Sequence, residues 1–200
     1  MSVCPSKGSP MSTYKVGNII GSLSSTSVNR TLAKVLVRLA PSDLSFLEIP
    51  IANLPLYSPD YDANYPPEGQ ALKEAIAAAD AILFVTPEYN RSIPGVLKNA
   101  IDWASRPYGQ NSFNHMPAAI IGASPGAIGT AMGQQNLRAV LNYLNARQMT
   151  APEAYITFKP EIFGADGSVS NDSTERFLRA YMQEFRDHIQ RVLTVLPRPS

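Results

Sequence analysis

Three stretches of the chain gather residues able to bind an anion or a flat polar ring. The first, Gly21–Arg30, reads GSLSSTSVNR and places Ser22, Ser24, Ser27 and Asn29 just ahead of a helical pattern. Hydroxyls together with the free N–H groups of a helix's first turn suit a phosphate dianion. The stretch is not a P-loop, having no Gly-Lys-Ser/Thr, and it lacks the glycine spacing of a dinucleotide fingerprint. The same residues also read as an ordinary helix cap, with Ser27 or Asn29 in the capping position.

The second stretch, Pro87–Trp103, reads PEYNRSIPGVLKNAIDW and follows the apolar run AILFVT. A planar heterocycle needs an edge of backbone donors and acceptors and an apolar face, and Pro87, Glu88, Tyr89 and Asn90 offer both. The alternative is a plain strand-to-helix turn with a surface tyrosine. The third stretch, Ser124–Gly129, is SPGAIG. It follows the apolar run PAAIIGA and begins with Ser124, Pro125 and Gly126. Arg91 and Arg106 suit anionic groups or plain solvation equally. His115 and His188 have no Ser, Cys or second His at useful spacing, so both read as structural. Cys4 is the one cysteine, which excludes an internal disulfide and a Cys-rich metal site; no metal is expected.

Elements that position these stretches follow from hydropathy. Apolar runs predict strands at Lys15–Gly21, Leu44–Glu48, Ala81–Thr86, Pro117–Ala123 and Tyr155–Phe158. Between them, Leu32, Val35, Leu36 and Leu39 recur at helical spacing. Further helices are predicted over Gln70–Ala79, Val96–Ala104, Leu137–Leu144 and Phe177–Val192. Strands that are apolar throughout, alternating with helices, belong to a parallel sheet covered on both faces. Right-handed crossovers and five strands predict a doubly wound, flavodoxin-like α/β sheet of order 2-1-3-4-5. In such sheets ligands sit beyond the carboxyl ends of the strands, where the three stretches fall. Ile49–Pro66, long and proline-rich with Tyr57 and Tyr61, reads as a subunit contact or a pocket rim.

The chain has 200 residues and a net charge of +1, with no basic run, which argues against a nucleic-acid partner. Its longest apolar stretch, Ala75–Thr86, is interrupted by Asp80 and falls short of the roughly 18–20 residues that span a membrane. Residues 1–13, with no signal-peptide pattern, read as a disordered leader, and 14–196 as one domain in a cytoplasmic protein.

TPEYN followed by SIPGVLKNAIDW, with GSxxxxSxNR upstream and ASPGxxG downstream, resembles the NADPH-dependent FMN reductase family, which includes chromate, quinone and azo-dye reductases. The resemblance runs from about Lys15 to Leu144. It implies that Ser22, Ser24, Ser27 and Asn29 hold the FMN phosphate and ribityl end. Pro87, Glu88, Tyr89 and Asn90 would border the isoalloxazine, largely through their backbone; Ser124, Pro125 and Gly126 would close its other side, with Gly126 and Gly129 allowing close backbone approach. Arg91 and Arg106 would meet NADPH phosphates or an anionic acceptor. Relatives often carry Arg where this chain has Ser24; Arg30 or the helix N-terminus would then supply the missing charge-assisted bond.

The resemblance further implies an enzyme that takes hydride from NADPH (or NADH) onto FMN. It then reduces a small-molecule acceptor, a quinone, azo dye, chromate or free flavin, by ping-pong kinetics, as a homodimer or homotetramer. The rival reading is a non-enzymatic flavodoxin-like electron carrier, although carriers of that kind are usually strongly acidic. A relative that has lost its flavin is the third.

Overall fold

The computed structural model describes residues 13–197; apart from Thr13, the leader expected over 1–13 lies outside them. Strand β1 (Tyr14–Ile20) runs through the middle of the sheet, and its last five residues are buried. Helix α1 (Val28–Leu39) follows, then β2 (Leu44–Glu48), α2 (Pro67–Ala77), β3 (Ala81–Val85) and α3 (Gly95–Ala104). After β4 (Pro117–Ser124) come α4 (Ala131–Tyr143), the short strands β5 (Arg147–Gln148) and β6 (Tyr155–Thr157), and α5 (Asp172–Val195). All pairings are parallel, in the order β2-β1-β3-β4-β5, with β6 also paired to β4. This is the flavodoxin-like doubly wound order.

The register sets Ile19 beside Phe84, and Phe84 beside Ile120, across the three central strands. Side chains on one sheet face pack with Leu32, Val35, Leu36 and Leu39 of α1 and with Leu178, Tyr181, Phe185 and Ile189 of α5. The other face meets Leu72 and Ile76 of α2, Leu97 and Ile101 of α3, and Leu137 and Leu141 of α4. Each such fully buried aliphatic side chain contributes about 1.5–3 kcal/mol of transfer free energy. With both faces covered, polar loops are confined to the strand ends.

Two expectations need correction, and a third region gains detail. The fifth sheet position is split between β5 and β6, so the sheet has six strands. A two-residue strand leaves no hydropathy signature, which is why β5 escapes a sequence reading. Helix α4 starts at Ala131, six residues before the apolar periodicity begins at Leu137, because its first turns abut loops and not the sheet. The loop over 49–66 packs on α3 of its own chain: Asn99 donates to Pro55 O at 2.9 Å and Trp103 Nε1 to the same oxygen at 2.7 Å. Leu56 and Tyr61 of that loop stay exposed.

Candidate functional site

All three chemistry-bearing stretches leave the sheet at its carboxyl edge, and they touch one another. Gly21 N–H donates to Val85 O at 2.9 Å. Thr86, fully buried, stands where the loops meet: a Cβ on Gly122 would fall 2.1 Å from its carbonyl oxygen and 2.3 Å from Thr130 Oγ1. A Cβ on Gly21 would fall 2.5 Å from Thr86 Oγ1. Bare backbone at Gly21 and Gly122 therefore lets the loops after β1, β3 and β4 converge. Neither Thr86 nor Gly122 is signalled by the sequence, since both sit inside apolar strand-like runs.

In the first loop Ser27 is the N-cap of α1, its hydroxyl accepting from Arg30 N at 3.3 Å. Ser22 is buried and accepts from Ser24 N at 3.3 Å; Ser24 Oγ accepts from Thr26 N at 3.2 Å. Residues 23–26 are exposed, so the hydroxyls of Ser24, Ser25 and Thr26 face solvent beside the helix. Asn29 acts from behind this surface. Its Nδ2 donates to Ala123 O and its Oδ1 accepts from Ala123 N, both at 2.9 Å, while the residue is buried. That pair of bonds ties the start of α1 to the end of β4. Arg30 is not free to replace the missing loop arginine, because its guanidinium grips both oxygens of Glu48 at 2.9 and 2.8 Å.

The second loop is a tight hairpin. Tyr89 and Ser92 exchange backbone bonds of 2.9 and 3.0 Å, and Asn90 and Arg91 between them have φ of 51° and 66°. Two central residues with positive φ make the turn type favoured in two-residue hairpins. Tyr89 is left 50% exposed at its tip. Pro87 receives the Thr86 hydroxyl on its carbonyl at 2.9 Å. In the third loop Ser124 Oγ donates to Gly129 O at 2.7 Å, while Pro125, Gly126, Ala127 and Ile128 are exposed. Gly129 has a φ of 63° and packs against the Tyr155 backbone, whereas a Cβ on Gly126 would meet only Ser124 Oγ, at an ordinary contact of 3.6 Å.

Structure separates the two arginines. Arg91 extends from the hairpin, 68% exposed and 4.0 Å from Glu88. Arg106 lies past the other end of α3, about 15 Å of helix away, paired with Asp62 and donating to Tyr57 Oη at 2.8 Å. Its bond to Asp62 is the chief cause holding its pKa above the ordinary arginine value. The fold thus does not bring Arg106 to the three loops. His188 is structural: its Nε2 lies 2.7 Å from Arg147 O, and burial pushes its imidazole below the usual range.

These residues fit FMN. A phosphomonoester needs several hydroxyl or amide donors and no adjacent carboxylate, and α1 has no acid in its first turn. A tricyclic ring needs backbone groups at its edge and room for a flat body. The exposed Tyr89 hairpin and the exposed segment 125–128 meet that need.

A model of the family described as NADPH-dependent FMN reductase matches residues 14–161. The chain is 49% identical over 171 residues to a 2-hydroxy-1,4-benzoquinone reductase of a Burkholderia species, covering 86% of this chain and 93% of that one. It is 44% identical over 178 residues to a quinone reductase of Pseudomonas putida, covering 88% and 95%. Among solved structures it resembles FerB, a flavoenzyme NAD(P)H:(acceptor) oxidoreductase of Paracoccus denitrificans. That match has a TM-score of 0.86 and 46% identity, over 90% of this chain and 98% of that one.

Proposed function

The chain belongs to the NADPH-dependent FMN reductase family, and from that premise we propose that it is a quinone reductase working in the cytoplasm. The enzyme is an oxidoreductase that uses FMN and NAD(P)H. The names of its relatives favour a quinone over chromate or an azo dye as the acceptor. When bound, FMN supplies two-electron chemistry, taking hydride from the nicotinamide and returning electrons to the acceptor. The protein's task is to hold, orient and shield.

Convergence of the three loops on Thr86 carries this reading, because it sets unspent donors and an exposed aromatic ring around one surface. Ser22, Ser24 and Ser27, with the first-turn amides of α1, hold the phosphate end; Asn29 keeps that loop anchored to β4. Pro87–Asn90 and Ser124–Gly126 flank the ring. Arg91, 68% exposed and only loosely paired with Glu88 at 4.0 Å, stands beside them and draws in the phosphates of the dinucleotide or an ionised hydroxyquinone. Nicotinamide and acceptor use the Tyr89 surface in turn, which gives ping-pong kinetics. A second copy of the chain covers Leu56, which is 83% exposed.

One preparation tests the proposal. The purified protein is expected to be yellow and to release FMN on denaturation. It should oxidise NAD(P)H only with a quinone present or at the slow rate of oxygen reduction, with parallel double-reciprocal lines. Light scattering on the same sample should report a dimer or larger. FAD in place of FMN, or intersecting lines, would overturn the cofactor or the shared-surface reading respectively.

A further inference from the structure

We infer that Glu88 is a positioning residue, whose carboxylate caps helix α4 from the neighbouring loop and so sets where the Tyr89 hairpin stands. The contact is independent of the flavin; its consequence for cofactor binding rests on the reading above.

Helix α4 starts without a local cap. Thr130 occupies the cap position, but its side chain accepts from Gln134 Nε2 at 2.9 Å and makes no bond to the first-turn amides. The first turn also holds no acid. Gly133 N–H instead donates to Glu88 Oε2 at 2.9 Å. A carboxylate there gains both a charge-assisted bond and the favourable end of the helix dipole. The Glu88 side chain is only 12% exposed, and its nearest cation, Arg91, stands off at 4.0 Å. The helix amide is therefore its closer partner.

A second fastener holds the far side of the same turn: Asn136 Nδ2 donates to Arg91 O at 3.0 Å and to Met132 O at 2.8 Å. The hairpin is closed internally by the Tyr89–Ser92 bonds, so it moves as a unit and its placement depends on these two attachments. The seat is shaped for it. A Cβ on Gly133 would meet Ser92 O at 3.1 Å and Glu88 Cβ at 3.3 Å, tighter than ordinary contact. Because α4 directly follows the Ser124–Gly129 loop, Glu88 couples the two loops that flank the ring.

The test compares apo wild type, Glu88→Ala, Glu88→Gln and Gly133→Ala, by hydrogen exchange at residues 87–92 and 131–135 and by FMN titration. Loss of a bond to a charged group predicts that Glu88→Ala raises the FMN Kd roughly tenfold or more, with faster exchange in both segments. Glu88→Gln keeps an acceptor for Gly133 N–H and should recover most of both effects. Gly133→Ala, with Glu88 intact, should reproduce the displaced loop. Weaker FMN binding with α4 exchange unchanged would mean that Glu88 touches the flavin directly and would overturn the inference. Faster exchange with an unchanged Kd would reduce Glu88 to a structural cap and overturn it equally. Should wild type bind no FMN, the flavin reading fails, and the exchange of Glu88→Ala alone decides whether the carboxylate holds the hairpin.

Discussion

Helix α3 carries a tyrosine- and arginine-bearing loop at each end, and the two ends use the same residue types in opposite ways. At its C-terminal end the rings of Tyr57, Tyr61 and Tyr65 stand 5.2, 5.4 and 5.0 Å from that of Trp103. Asn99 accepts from Tyr57 N at 2.9 Å, Tyr65 Oη donates to the Trp103 carbonyl, and Arg106 takes Asp62 and Tyr57. Lys73 adds an ammonium group that donates to the carbonyls of Ala104, Arg106 and Gln110. Burial pushes the Tyr65 phenol up to about 12 and the Lys73 ammonium below its ordinary value. At the N-terminal end the backbone of the Tyr89 hairpin is equally well held, yet Tyr89 is half exposed and the Arg91 guanidinium, 68% exposed, comes no closer than 4.0 Å to Glu88. A binding loop is recognised here by polar groups that are fixed in place but not consumed.

The sharpest way to break that contrast is at Trp103, which is fully buried and organises the consumed end. Trp103→Ala is expected to cost about 3–5 kcal/mol of stability, the usual range for a buried tryptophan. Urea unfolding followed by circular dichroism checks it. A loss under about 1 kcal/mol, well below that range, would show that the aromatic cluster is decoration and that the two ends of α3 are alike. FMN affinity of the variant that remains folded should stay near wild type, since Trp103 lies at the other end of the helix from the hairpin.

Asn29 sharpens the comparison from the other side, being in the site region yet wholly consumed. Its amide satisfies both backbone groups of the buried Ala123. Asn29→Ala leaves those groups unpaired and should lower stability by about 1–3 kcal/mol. Because Ser27, and not Asn29, is the helix cap, a capping loss is not the cause. FMN should also bind more weakly, through a loosened first loop. Lost stability with unchanged FMN affinity would confine Asn29 to the fold.

These cases also mark how much was legible in the sequence. The central strands were, because a run such as AILFV has no polar residue to misplace and must be buried on both faces. The motif-bearing loops were legible as positions, since they follow those strands directly. The spending of each side chain was not. Arg30 and Arg106 look as available as Arg91 in one dimension; only folding brings Glu48 to the first and Asp62 to the second. Gly133 reads as a weak spot inside a helix, and its purpose depends on a loop 45 residues away. In Ile49–Pro66 the sequence shows a long tyrosine-bearing loop, but not that Tyr57 and Tyr65 pack on Trp103 of the same chain.

The smallest expected effect on stability, and the most direct test of an unspent residue, is at Tyr89. Its ring is half exposed, and its hydroxyl has no hydrogen-bond partner among the described residues. Removing such a side chain should shift unfolding by no more than about 0.5 kcal/mol, as for most surface substitutions. The hairpin should survive, because the Tyr89–Ser92 bonds are made by backbone. Function should respond out of proportion. If one surface serves nicotinamide and acceptor in turn, Tyr89→Ala slows both half-reactions, measured separately by anaerobic stopped flow. Tyr89→Phe, which keeps the ring and loses only the hydroxyl, divides the effect between stacking area and hydrogen bonding. A variant slowed in one half-reaction alone would assign the acceptor to a different surface, and Arg91 would then lose its claim to both ligands. A variant destabilised as strongly as Trp103→Ala would instead mean that Tyr89 is packed and consumed in solution, and the contrast between the two ends of α3 would collapse.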